Sequence, residues 1–215
     1  GGCNFRCPFC HNPALVLDPE SQPLVREALV LNFLKTRTGK LDGVVISGGE
    51  PSLRKKLPEF AAKLVEMGFK IKLDTNGSNP ATLKSLYEKG LLHALGVDYK
   101  APAAKYDELT RCKTPGLAEK VAETLRFAVK EKIQLDVRTT VHKSLLSPED
   151  LAAMRKELDA LGVDSWALQQ FNPVEVMDTG LNAIPTYSDL ELLKLSQSLG
   201  PSTKARGLKG VYIED

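Results

Sequence analysis

Short β-branched or aliphatic runs alternate with amphipathic helical stretches along most of the chain, and this alternation limits the fold more than any other feature. The runs cover 43–47, 70–74, 94–98, 134–141 and 165–171, with a last candidate at 210–214. Residues 23–36, 56–67, 117–132 and 188–199 carry apolar side chains at i, i+3, i+4 spacing and read as helices. Asn79-Pro80 and Ser147-Pro148-Glu149-Asp150 place a cap residue before a first-turn proline. Gly39, Gly68, Gly90 and Gly162 stand at stopping positions. Strands joined through helices need crossovers and therefore a parallel sheet. At about 30 residues per unit, 215 residues hold six or so repeats, fewer than the full barrel of about 250 residues. One α/β domain over 1–215 is expected, either an incomplete barrel or a doubly wound sheet. In both, chemistry gathers at the C-terminal ends of strands.

Charge narrows the partners. With 29 Lys and Arg against 27 Asp and Glu, there is no broad electrostatic footprint for nucleic acid or an acidic membrane surface. No apolar run approaches the roughly 18 residues of a membrane span, and the first residues do not read as a signal peptide. Four cysteines in 215 residues are too few for a disulfide scaffold. Cys3, Cys7 and Cys10 lie close together while Cys112 stands alone. That clustering reads as a metal or redox site in a reducing compartment, so a cytoplasmic location is expected.

The cluster has the spacing C-x3-C-x2-C in Cys3-Asn4-Phe5-Arg6-Cys7-Pro8-Phe9-Cys10. A [4Fe–4S] cube normally takes four thiolates, so three on one loop leave one iron open, and an open position is how a metal centre receives a substrate. Structural zinc is the competing reading. It needs a fourth ligand, and the only nearby one, His11, is adjacent to Cys10, which makes closing one tetrahedron awkward. An iron–sulfur cluster is favoured.

Polar residues then follow each run. Ser47-Gly48-Gly49-Glu50-Pro51 combines a turn open to a ligand with a carboxylate at a strand tip. Asp74-Thr75-Asn76-Gly77-Ser78 reads alone as a strand ending in an Asn-Gly turn, and Asp98-Tyr99-Lys100 as a solvated ion pair. In the run 134–141 and just beyond it, alternation puts Arg138, Thr140 and His142 on one face. An inward arginine is costly unless it meets an anion, which suggests a carboxylate. His142 reads as a structural hydrogen-bonder, His93 as a boundary residue, Cys112 as a free thiol and Trp166 as packing.

Taken together, these strings resemble the radical S-adenosylmethionine (SAM) enzymes. CNFRCPFCHNP, over 3–13, is most similar to activating enzymes of glycyl radical enzymes, in particular the short anaerobic ribonucleoside-triphosphate reductase activating proteins. GGEP, DTNGS, the D-x-K element and RTTVH follow in the order that family uses. The resemblance implies an incomplete (β/α)6 TIM-like barrel with outer helices. Its first strand is expected before Gly1, since the sequence opens without Met at its most specific motif.

The resemblance also implies roles. Cys3, Cys7 and Cys10 would hold a [4Fe–4S] cluster whose open iron chelates SAM. Phe9 would lie near the adenine, and Asn12 would help hold SAM. Gly48, Gly49 and Glu50 would hold the methionine amino group, with Asp74 and Thr75 lining the same site. Lys100 would sit near the SAM carboxylate with Asp98 beside Asp74, and Arg138 is expected near SAM. A monovalent cation is expected near Asp74 and Asp98. Tyr99 departs from the usual Ile or Leu, with its side chain expected to point away. The run ending Gln169-Gln170-Phe171 would lie by the adenine.

The activity so implied is reductive cleavage of SAM to a 5′-deoxyadenosyl radical that makes a glycyl radical on a partner enzyme, with a ferredoxin or flavodoxin as electron donor. Two alternatives stand beside it. One is radical SAM chemistry on a small molecule such as a deazapurine precursor. The other is a non-enzymatic iron–sulfur or zinc module, which leaves the GGEP, DTNG and D-x-K strings unexplained.

Overall fold

A computed structural model describes residues 1–210. Six parallel strands lie side by side in chain order: β1 (Gly43–Ile46), β2 (Lys70–Thr75), β3 (Ala94–Asp98), β4 (Gln134–Val141), β5 (Trp166–Gln170) and β6 (Thr203–Arg206). Nothing pairs β1 with β6, so the sheet is an open partial barrel. Six strands are thus present between Gly43 and Arg206. The expected run at 210–214 falls mostly outside the described residues. The sixth strand is instead Thr203-Lys204-Ala205-Arg206, which has no aliphatic run and pairs only with β5.

Alternation along the strands sorts the two faces. Ile71, Leu73, Leu95, Val97, Val137, Val141, Trp166 and Leu168 are buried and, by register, share the face toward the helices. Capping residues at three helix starts explain where the coverings begin. In α7 (Pro148–Ala160) and α8 (Asp189–Ser198), Ser147 with Asp150 and Ser188 with Glu191 form reciprocal capping boxes. In α4 (Pro80–Glu88), Asn79 accepts from the Thr82 N–H. Leu151, Met154 and Leu158 of α7 are fully buried at i, i+3, i+7, each worth roughly 1.5–3 kcal/mol of hydrophobic stabilisation. α6 (Leu117–Lys130) buries Leu117, Val121, Leu125 and Ala128 in the same way.

Three elements differ from expectation. The helix anticipated over 23–36 runs only as α2 (Glu27–Lys35), with the backbone still extended at its N-cap Arg26. Two short helices, α1 (Pro13–Leu17) and α5 (Tyr106–Thr110), carry too few turns for a periodic signal. α3 (Leu57–Glu66) matches its expected span within a residue.

The other face of the sheet is polar. Lys72 and Asp74 of β2, Gly96 and Asp98 of β3, Asp136, Arg138 and Thr140 of β4, and Gln169 of β5 share it by register. A closed barrel fills this space with branched apolar side chains. Here it holds charges.

Candidate functional site

The cysteine loop lies across the C-terminal ends of the strands, braced from four directions. The Glu50 N–H donates to Gly2 O (2.8 Å) and the Arg6 N–H to Thr110 O (2.8 Å). The Met177 N–H donates to Cys10 O (3.0 Å) and the Asp178 N–H to Pro8 O (2.9 Å). The Arg6 guanidinium closes the loop on itself through Cys3 O (2.7 Å) and Phe5 O (2.8 Å). Gly49 is required where the strand tip meets the loop, since a Cβ there would overlap Gly2 O and approach the Cys3 Cβ.

Beneath the loop is a cavity of about 400 Å3 that gathers every residue expected at the site except Glu50. The three thiols of Cys3, Cys7 and Cys10, the ring of Phe9, the side chain of Asn12, the Gly48-Gly49 turn, Asp74, Thr75, Asp98, Lys100 and Arg138 all line it. Phe5, His11, Asn76, Thr140 and Gln169 line it too. A larger hollow, about 940 Å3, opens at the N-terminal ends of the strands. It contains no cysteine, though Lys72, Asp136 and Arg206 line it.

Burial pushes the Cys7 thiol up to about 12, against the pull of the Lys100 ammonium. Burial also raises Cys3, partly offset by the Phe5 N–H at 3.4 Å from its sulfur. On their own these thiols keep their protons, so a strongly cationic centre is needed to draw them into thiolates. The donor set fits an iron–sulfur cluster: three free thiols, one cavity and a positive side chain facing them. Zinc would need a fourth protein ligand. His11, the only nearby fourth ligand, turns its Nε2 to Asn172 O (3.1 Å) and stacks on Phe171.

The floor of the cavity is an ion network. Arg138 donates from Nε to Asp98 (2.7 Å) and from Nη2 to Asp74 (2.9 Å), with Nη1 at 3.6 Å from Asp136. Its guanidinium therefore bridges the two carboxylates between which a monovalent cation was expected. Lys72 lies 3.5 Å from both Asp74 and Asp136, and Arg206 pairs with Asp136 at 2.7 Å. Lys100 reaches Asp98 at 3.2 Å and lies over the Phe9 ring at 5.4 Å. Burial works against the charge on Asp98, but Lys100 and Arg138 outweigh it and hold the carboxyl below its ordinary range. Burial likewise opposes the charge on Lys100, and Asp98 and Cys7 outweigh that and raise it. Among the residues that line the cavity, Lys100 and Arg138 match Asp74 and Asp98 in charge. Lys100 is the cation with donors to spare, because every arm of Arg138 is already engaged.

Glu50 lies behind the cavity wall. Its carboxylate, 1% exposed, accepts from the Ser52 N–H (2.9 Å), the Thr75 hydroxyl (2.7 Å) and the Asn76 N–H (2.6 Å). It ties the end of β1 to the end of β2 instead of facing the ligand space. Tyr99 points to the helices, as alternation requires, and donates to Glu157 of α7. His142 is buried edge-on to Phe171, Cys112 is a buried free thiol, and Trp166 donates to the Thr139 hydroxyl within the core. Asn76 was missed. The Asn-Gly pair signalled a turn, but its position at a strand tip opposite the cysteine loop was the available clue.

Residues 1–143 match the model of the radical SAM superfamily. A protein of Methanocaldococcus jannaschii named as a candidate glycyl-radical enzyme activating enzyme is 31% identical over 91% of this chain, which spans 80% of that protein. Among solved structures, Streptococcus suis SuiB bound to S-adenosylmethionine superposes with a TM-score of 0.71 at 16% identity, over 97% of this chain and 48% of SuiB. A domain of pyruvate-formate lyase-activating enzyme from Bacteroides vulgatus gives a TM-score of 0.60 at 16% identity, over 77% of this chain and 99% of that domain. These two likenesses speak to the fold. With the matched family model and the relative that spans nearly the whole sequence, they show that the chain belongs to the radical SAM superfamily.

Proposed function

We propose that this chain is an activating enzyme for a glycyl radical enzyme. The observation that carries the reading is the likeness to a candidate activase over 91% of the chain, joined to a cavity that three thiols share with the Lys100 ammonium. In that reading a bound [4Fe–4S] cluster and SAM would supply the one-electron chemistry by which a hydrogen atom is removed from a glycine Cα of the partner protein. The chain's own residues bind and orient. Cys3, Cys7 and Cys10 are the cluster ligands. Lys100 meets the SAM carboxylate, and the backbone of the Gly48-Gly49 turn approaches its amino group. Asp74, Asp98 and Arg138 form the charged floor that fixes Lys100, Thr75 lines the cavity beside them, and Phe9 and Asn12 line the adenosyl side. The open edge of the sheet leaves room for a loop of a protein substrate, and the electron comes from a ferredoxin or flavodoxin.

The test is anaerobic reconstitution with iron and sulfide, reduction, and assay of 5′-deoxyadenosine. Mixtures with candidate partners are then examined by electron paramagnetic resonance for a glycyl radical doublet. Deoxyadenosine formation without a doublet on any glycyl radical enzyme encoded nearby points to a small-molecule substrate. No deoxyadenosine from a fully loaded cluster overturns the enzyme reading.

A further inference from the structure

The geometry points to Asn76 as a positioning residue that sets the electron affinity of the cluster through Cys3, an inference that rests on the cluster reading above. Asn76 is 5% exposed at the tip of β2 and lines the cavity. Its side-chain amide is locked in one orientation. The Ser78 N–H donates to its Oδ1 at 3.0 Å, and a backbone N–H can only donate, so the oxygen faces Ser78. The Nδ2 is therefore turned the other way, toward the Cys3 Sγ at 3.8 Å and the Asn4 Oδ1 at 2.9 Å. Asn4 in turn donates to the Ser78 hydroxyl at 3.0 Å. The backbone of Asn76 is held independently, by its N–H on the Glu50 carboxylate.

The arrangement puts two N–H groups on one sulfur, the Phe5 amide from within the loop and the Asn76 amide from the sheet. Donors to a ligand sulfur favour the more negative, reduced state and raise the reduction potential. The buried Glu50 carboxylate lies close enough to Cys3 to act on it electrostatically, and its charge has the opposite influence. Asn76 thus stands between a buried anion and a ligand sulfur, presenting a donor to the sulfur.

Removing that donor should make the cluster harder to reduce. In an anaerobic redox titration followed by electron paramagnetic resonance, Asn76→Ala is expected to hold about threefold less reduced cluster than the parent at the parent's midpoint potential, the effect of losing one weak hydrogen bond. Asn76→Asp, nearly isosteric but an acceptor where the donor was, should fall further. Ser78→Ala removes the hydroxyl that holds Asn4 and leaves the Ser78 N–H in place, so it should titrate with the parent. A merely structural role would move Ser78→Ala and Asn76→Ala together, and that result overturns the inference. So do parental potentials in both Asn76 variants. Iron and sulfide content, measured on the same samples, separates the two ideas: a parent protein that assembles no cluster overturns the cluster reading itself.

Discussion

Gly96 stands directly across from Asp74 on the neighbouring strand, and its missing side chain is the space in which the Asp74 carboxylate meets Arg138. A Cβ at Gly96 would overlap the Asp74 Oδ1 and come within 3.2 Å of the Arg138 Nη1. The charged floor of the cavity therefore depends on a residue with no charge. Gly96→Ala should fold with a loss of about 1–3 kcal/mol, typical of overpacking. It should also weaken SAM binding about tenfold, the size of a lost charge-assisted contact. Denaturant unfolding and titration of SAM against the reduced cluster's spectrum check the two effects. Parental SAM affinity would show that the network does not position the ligand.

Glu50 offers a contrasting case. Its three hydrogen bonds all serve the protein, so Glu50→Gln, which turns one acceptor into a donor facing an N–H or hydroxyl, should cost about 1–3 kcal/mol. A lowered melting temperature is the main expected effect, with SAM affinity in the folded fraction changed by less than about threefold. The reverse pattern, normal stability with SAM binding lost, would mean that the carboxylate reaches the ligand directly.

Lys100 and Arg138, the two cations that line the cavity, should separate in the same way. Lys100→Met leaves Asp98 paired with Arg138, so the fold should survive with its cluster while SAM affinity drops at least about tenfold, as expected for a lost charge-assisted bond. Arg138→Gln leaves Asp74, Asp98 and Asp136 facing one another with the guanidinium gone. Removing one partner of a partly buried network costs up to about 3–5 kcal/mol, so that variant should be scored first by its melting temperature. If Arg138→Gln melts normally and Lys100→Met does not, the assignment of the two cations is reversed.

The parallel fold was legible because strand runs alternate with helical stretches, and most of this site because its strings resemble those of a known family; period-two alternation by itself turned Arg138 inward and Tyr99 outward. Asp74, Asp98 and Arg138 are inward by the same count that sends Tyr99 outward to Glu157. Alternation stops where pairing stops. Glu50 and Asn76 lie past the last residues of β1 and β2, so the direction of their side chains was set by loop geometry that no periodicity encodes. β6 escaped for another reason. With a single neighbour it buries little, and Thr203-Lys204-Ala205-Arg206 carries an inward charge, Arg206, whose purpose appears only when Asp136 is seen beside it.

The last prediction concerns pH. His142 is fully buried just past the end of β4, and its Nδ1 is engaged by Ser144 (2.8 Å to Oγ). Burial lowers its affinity for a proton, with the backbone of Ile184 and Leu181 offsetting this only in part. The unfolded chain, with a histidine of about 6.5, binds the proton more readily than the folded one, so stability rises with pH across that interval. The stabilisation is complete above about pH 6.5 and is lost as pH falls toward the depressed folded value. Melting temperature should therefore fall between about pH 7.5 and 5.5, bracketing the free histidine value, and His142→Gln, which has no proton to gain, should fall less over the same range. Parallel decline of the two proteins would place the acid sensitivity elsewhere, because a neutral side chain at this position has removed the only titration that the argument invokes.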